Sequence, residues 1–162
     1  MSKKLIMIHY FCDNKKMKKR SGWIIVDRIK KIFDKLFILR YFNYPDYKTK
    51  EFVVELSRMA RGKKVLDAGA GDCPYRQYFK NSTYISQDIC DKDDKFEYKF
   101  IDIKSEIYKI PVKGSEFDFI LCTDVLEHLR YPDKAFKEFC RILRKGGQLW
   151  LTSPYGGAEH EA

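Results

Sequence analysis

The sequence predicts an α/β fold built on a mainly parallel, doubly wound sheet, and three observations carry that prediction. Between residues 62 and 158, strand-like runs alternate with helix-like runs, the pattern of βαβ units. The apolar run Lys64-Val65-Leu66 ends in Asp67 and passes at once into a loop of small residues, Ala68-Gly69-Ala70-Gly71. Asp88 lies 21 residues beyond Asp67, at the end of a second strand-like run. Doubly wound sheets place an acid at the tip of the second strand at about 20 residues' distance.

Charge separates an N-terminal extension with its helices, residues 1–61, from a core over 62–158. Residues 1–64 hold 18 Lys/Arg and 6 Asp/Glu, a net of +12, whereas 65–162 hold 14 and 17, a net of −3. The densest basic cluster is Lys15, Lys16, Lys18, Lys19 and Arg20. Such a cluster suits an anionic membrane surface or nucleic acid. A solvated arm is the simpler reading and is preferred. The apolar run from Lys3 to Cys12 is too short for a clear secretory signal and has no convincing cleavage site. From Trp23 to Phe42, Ile25, Ile29, Ile32, Phe33, Leu36 and Leu39 recur at helical spacing. Asp27, Arg28, Lys30, Lys31, Asp34, Lys35 and Arg40 interrupt that run and exclude a transmembrane span. A helix packed on its own domain is favoured over one lying on a membrane. Asn43-Tyr44-Pro45-Asp46 reads as a turn, and Tyr47 to Met59 as a second helix leading into the first core strand.

The core elements follow in order. After the first strand and its glycine loop, Tyr75 to Phe79 reads as a helix. Thr83 to Asp88, β-branched and aromatic, reads as the second strand, and Tyr98 to Ile103, carrying Asp102, as a short third. Phe117 to Thr123 is the fourth strand, followed by the loop Asp124-Val125-Leu126-Glu127-His128-Leu129. A helix over Pro132 to Leu143 presents Ala135, Phe136, Phe139, Cys140, Ile142 and Leu143 as an apolar stripe. Arg141, Arg144 and Lys145 suit its C-terminal dipole, and Gly146 is the expected stop. Gln148 to Thr152 is the fifth strand, whose Leu149-Trp150-Leu151 suits burial on both faces. The five cysteines are scattered without a C-x-x-C pair, which argues against a disulfide framework or a zinc site. Reduced thiols lead to the expectation of a cytoplasmic protein.

The glycine loop bears on the ligand class, with an ordinary glycine-rich turn as the alternative. A dinucleotide site wants G-x-G-x-x-G and a phosphate loop wants a following lysine, and neither is present. Here the carboxylate precedes the glycines, which suits a ligand bearing an ammonium group better than a pyrophosphate. The stretch Asp67 to Cys73 resembles motif I of the class I S-adenosylmethionine-dependent methyltransferases, E/D-x-G-x-G-x-G, with Cys73 in place of the third glycine. The phrase Phe117-Asp118-Phe119-Ile120 through Asp124-Val125-Leu126-Glu127-His128-Leu129, followed by Pro132-Asp133 and Lys145-Gly146-Gly147, resembles the type 11 subgroup. The resemblance covers about residues 62 to 158.

It implies a Rossmann-like core in which Asp67, Ala68, Gly69 and Gly71 shape the methionine end of the cofactor pocket. It further implies that Asp88 and Ile89 meet the ribose and its surroundings, that Asp102 and Ile103 hold the adenine, and that Thr123 lines the methionine side. At the C-terminal end of the fourth strand, His128 is a candidate general base because an imidazole ordinarily titrates near neutrality, with Asp124 beside it. An acid followed by Glu-His at this place also resembles oxygen-methylating relatives that use a divalent ion. Asp124, Glu127 and His128 are thus candidate ligands for Mg2+ or Mn2+, although capping and orienting the loop is the preferred role of Glu127 and His128. The family's sheet has seven strands, of which five can be placed. The resemblance therefore implies a core C-terminally incomplete in this chain, with an unpaired apolar edge at the fifth strand. The implied activity is methyl transfer to an unidentified acceptor. An inactive or binding-only fragment, or an NAD(P)-dependent enzyme on the same plan, are the alternatives.

Overall fold

The computed structural model describes residues 4–13, 16–19, 44–91 and 96–155. The helix expected from Trp23 to Phe42 lies outside them. In chain order the elements are Lys4–Asp13 (β1), Lys16–Lys19 (β2), Tyr44–Met59 (α1), Lys64–Ala68 (β3), Thr83–Asp88 (β4), Ile103–Lys104 (β5), Phe117–Thr123 (β6), Pro132–Ile142 (α2) and Leu143–Tyr155 (β7). The strands form one seven-stranded sheet in the order β2-β1-β7-β6-β3-β4-β5. β3 runs parallel to both β4 and β6, β4 to β5, and β6 to β7. The chain moves from β3 outward to β5 on one side, then returns to β6 on the other. Strand order thus reverses between β3 and β6, where doubly wound sheets open a crevice at the C-terminal strand ends.

Both faces of the parallel part are covered, as the period of two in the strands requires. Leu66 and Ala68 of β3, Ile120 and Cys122 of β6, and Leu149 and Leu151 of β7 pack with Ala135, Phe139 and Ile142 of α2. Val65, Phe119, Leu121 and Trp150, from the same strands, pack on the opposite face with Phe52, Val53 and Leu56 of α1. The Phe52 and Trp150 ring centroids are 4.8 Å apart. No helix among the described residues is long and apolar enough to cross a membrane.

The largest departure from expectation is at the β7 edge. β1 pairs antiparallel with β7 from Lys4↔Tyr155 to Phe11↔Gln148, and β2 pairs with β1 in turn. The apolar run near the N-terminus is therefore a strand. The edge of the fifth parallel strand is paired, and the division expected at residue 61 does not divide the sheet. The pairing joins residues far apart in sequence, so no local signal announced it. Its physical origin is the row of N–H and C=O groups along β7, which need partners.

Four smaller corrections have local causes. The helix expected at Tyr75 to Phe79 is a 3-10 turn over Arg76–Tyr78. Successive i to i−3 bonds build it, Tyr78 N to Tyr75 O at 2.9 Å and Phe79 N to Arg76 O at 3.1 Å. Tyr98 to Asp102 does not extend as a strand, because side chains take its backbone groups: Arg76 Nη2 donates to Phe100 O at 2.6 Å, and Asp102 N donates to Ser86 Oγ at 3.0 Å. Only Ile103–Lys104 pairs with β4. The turn expected around Pro45 is the first turn of α1, where a missing N–H costs no intrahelical bond. Finally, α2 ends at Ile142, before Gly146. Ser115 N and Glu116 N donate to the carbonyls of Arg141 and Ile142 at 2.9 and 2.7 Å, satisfying the helix end without a glycine cap. Residues 144–147 then bulge out of β7, since Leu143 pairs with Phe117 and Gln148 with Phe119.

Candidate functional site

The loop leaving β3 folds back onto the end of β4. Gly69 N and Ala70 N donate to Gln87 O at 2.9 and 3.0 Å. Gly69 has φ +76°, and a Cβ there would overlap the side chain of Val125, with Cγ1 3.1 Å away. Glycine is thus required both by conformation and by the packing of the loop after β6 against the loop after β3. Gly71 N donates to Asp88 Oδ2 at 2.9 Å and Cys90 N to Oδ1 at 3.1 Å. Each oxygen of Asp88 keeps further accepting capacity. Cys73, where the resemblance expects glycine, has φ +56° and is buried.

Asp67 ends up buried beneath this loop. The Tyr84 hydroxyl donates to its Oδ2, whereas its buried Oδ1 has no hydrogen-bond partner. Burial pushes its pKa up to about 7 and the Asp88 charge adds to the rise, while the Tyr84 bond and the Arg76 charge oppose it. A buried carboxylate oxygen left unpaired is costly, and a cationic donor is the group that relieves it. The orphaned Oδ1 therefore fits the ammonium of an amino-acid ligand. The three-residue 3-10 turn after the loop offers no helix dipole to a pyrophosphate.

The remaining expected residues are distributed along the strand tips. Ile89 follows Asp88 and is 55% exposed. Asp102 stands one residue before β5. Its Oδ2 accepts from Arg76 Nη2 at 2.7 Å, Ser86 N at 2.9 Å and Ser86 Oγ at 2.8 Å. Partial burial pushes its carboxyl up, but the Ser86 and Arg76 bonds outweigh this and leave it below its ordinary value. Ile103 opens β5 and Thr123 closes β6, both half-buried.

Asp124, Glu127 and His128 follow β6 and are exposed. Asp124 has φ +53°, and its Oδ1 accepts from Thr152 Oγ1 at 3.2 Å. Ser153 Oγ donates to Glu127 Oε2 at 3.4 Å. Thr152 and Ser153 are successive residues of β7, so their side chains leave opposite faces of the strand. Among the described residues no group of three or more His, Cys, Asp or Glu side chains is arranged to hold a metal ion. The Mg2+ or Mn2+ site expected at Asp124, Glu127 and His128 is thus corrected, because the structure does not bring the three together.

Sequence reasoning missed Tyr84, Arg76 and Ser86. A signal was present: Ser86 and Gln87 are polar residues in the buried C-terminal half of β4, where apolar side chains would be expected.

Comparison with known proteins gives the family and the fold. A methyltransferase domain family model matches residues 66–151. An uncharacterized protein of Methanocaldococcus jannaschii is 33% identical over 117 residues, 70% of this chain and 52% of that protein. The ubiquinone biosynthesis O-methyltransferase of Dechloromonas aromatica is 24% identical over 106 residues, 57% of this chain and 44% of that protein. In fold, the chain is similar to a SAM-dependent methyltransferase from Aquifex aeolicus, with a TM-score of 0.55 and 22% identity over 82% of this chain and 76% of that one. The chain spans about half the length of the M. jannaschii relatives it matches, 52% and 54%. With the family's domain matched across β3 to β7 on a sheet of the same plan, this chain belongs to the S-adenosylmethionine-dependent methyltransferases of type 11.

Proposed function

We propose that the crevice between β3 and β6 binds S-adenosylmethionine and that the chain transfers its methyl group to a small-molecule, lipid-precursor, glycan-precursor or other acceptor. The observation that carries this reading is the buried, unpartnered Oδ1 of Asp67 at the start of the glycine loop. When bound, the cofactor supplies a methyl already activated by its sulfonium. Asp67 Oδ1 would accept from the ligand ammonium, while Ala68, Gly69 and Gly71 let its backbone lie close. Asp88 would accept from the ribose hydroxyls, with Ile89 beside the base. Asp102 and Ile103 would border the adenine, and Thr123 the methionine side.

His128, exposed beyond β6, would take the proton from an acceptor hydroxyl or amine, and Asp124 would orient the acceptor. The NAD(P) alternative receives no support, since the loop lacks both the third glycine and the helix that a dinucleotide site uses. Thermal unfolding with S-adenosylhomocysteine and with NAD tests the reading. The first should raise the Tm, by about 2.7 kcal/mol of stabilisation at a ligand concentration a hundredfold above Kd. NAD should not raise it, and a Tm unmoved by either form of the adenosyl cofactor overturns the assignment. Once an acceptor is found, His128→Ala should cut kcat by roughly 10²-fold or more with S-adenosylhomocysteine affinity unchanged.

A further inference from the structure

We infer that Tyr84 is a positioning residue for the cofactor: its hydroxyl holds Asp67 Oδ2 so that the ionised Oδ1 is presented to the ligand ammonium. The inference rests on the cofactor reading above and adds to it a residue and a pH response. Tyr84 lies in β4, one strand away from Asp67, and its position is locked from two sides. The Phe79 ring centroid is 5.3 Å from its own, and the Arg76 guanidinium carbon stands 5.0 Å over its ring. Arg76 is in turn anchored on Asp102 and Phe100 O at 2.7 and 2.6 Å, and on Ser86 Oγ at 2.9 Å. A continuous set of contacts therefore runs from Asp102, on the adenine side, through Arg76 and Tyr84 to Asp67, on the ammonium side. Burial alone would keep Asp67 protonated and unable to pair with a cation. A phenol donating to it favours the charged form.

The charged and titratable groups facing Asp67 come from every surrounding segment. Tyr84 and Asp88 belong to β4, Arg76 to the 3-10 turn, Cys73 to the glycine loop and Cys122 to β6. Of these, Tyr84 and Arg76 favour the carboxylate and Asp88 opposes it. Tyr84 itself stays protonated, its pKa driven up first by burial and then by the Asp67 charge. It is thus a donor throughout the neutral range.

The test is S-adenosylhomocysteine affinity by calorimetry from about pH 5.5 to 8, where the phenol stays protonated. The parent chain should lose affinity as pH falls, with a midpoint at about 7. In Tyr84→Phe the midpoint should move up by about one unit, weakening binding at pH 7 by roughly fivefold. Asp67→Asn should give a flat profile. Should the Phe variant fail to fold, 3-fluorotyrosine placed at position 84 serves instead. Its more acidic hydroxyl donates more strongly, and the midpoint should move down. Profiles that stay parallel to the parent's in both position-84 variants would show a merely structural Tyr84 and overturn the inference. So would parent binding that does not change with pH. Absence of S-adenosylhomocysteine binding by the folded parent at every pH would overturn the cofactor reading itself, an outcome distinct from bound ligand with an unmoved midpoint.

Discussion

Asp67 opposes folding at neutral pH. Its pKa in the folded chain is about 7 against 3.8 for the free side chain, so the folded state keeps a proton that the unfolded state releases. Stability therefore falls as pH rises between those two values and is level above the higher one, a loss on the order of 4 kcal/mol over the window. Asp67→Asn removes this term while its amide oxygen still accepts from Tyr84. Denaturant unfolding of the two proteins should show the variant gaining on the parent from pH 4 to 7, with the gap constant above that. Cys73 is a second residue under strain. Its left-handed backbone costs about 1–2 kcal/mol for a residue with a Cβ, but its thiol is buried against Phe100 O at 3.5 Å. Cys73→Gly relieves the first and loses the second, so the unfolding free energy should change by less than about 1 kcal/mol in either direction. Gly69→Ala has no such balance, because both its φ and its overlap with Val125 are unfavourable.

At the scale of elements, the most consequential polar feature is the attachment of α2 to the segment before β6. Glu138 is only 8% exposed. Its Oε1 accepts from Ile110 N at 2.7 Å and from Arg141 Nη2 at 2.6 Å, and its Oε2 from Arg141 Nε at 2.8 Å. Arg141 also donates to the carbonyls of Val112 and Ile110, both at 2.9 Å. Burial pushes the Glu138 carboxyl up, but the Arg141 and Ile110 bonds outweigh it and hold the group below its ordinary value. Its contribution is thus present above the ordinary glutamate range and lost as pH falls below it. Arg141→Leu would leave a buried carboxylate unpaired and should cost about 3 kcal/mol. Glu138→Leu in the same chain should recover part of that loss, a coupling that a double-mutant cycle on unfolding free energies measures. An apolar stripe announced this helix, but an acid and a base three residues apart, the acid buried and the base exposed, gave no hint that they close a loop.

At the scale of the whole molecule, the N-terminal hairpin completes the sheet. β7 pairs with β6 on one side and β1 on the other, so its edge is covered along Gln148 to Tyr155. The outermost strand, Lys16–Lys19, is short and carries Lys16, Lys18 and Lys19. A short lysine-rich edge discourages further strand addition, which accounts for part of the basic cluster without any anionic partner. Of two adjacent residues in a strand, one directs its N–H to a given neighbour. Met7→Pro combined with Ile8→Pro therefore removes a β1 donor facing β7 whichever of the two supplies it. The expected result is partial exposure of the β7 edge, read as concentration-dependent association by light scattering. An unchanged monomer–oligomer profile would show that the edge is protected in some other way.

The parallel core was legible residue by residue because its information is local. Apolar runs in β3, β6 and β7 need burial on two faces, the stripe on α2 supplies one cover, and the D-x-G-x-G loop marks a backbone turn that only small residues make. Those patterns determined the fold class, the family and the acids at the strand tips. Tertiary structure alone decided three things: which strand closes the β7 edge, that Asp124, Glu127 and His128 do not converge, and that Tyr84 and Arg76 stand between Asp67 and Asp102. Each depends on contacts between segments distant in sequence. Hydrogen-bond satisfaction and buried charge act between such segments only after the chain has folded, and no residue pattern along the chain records them.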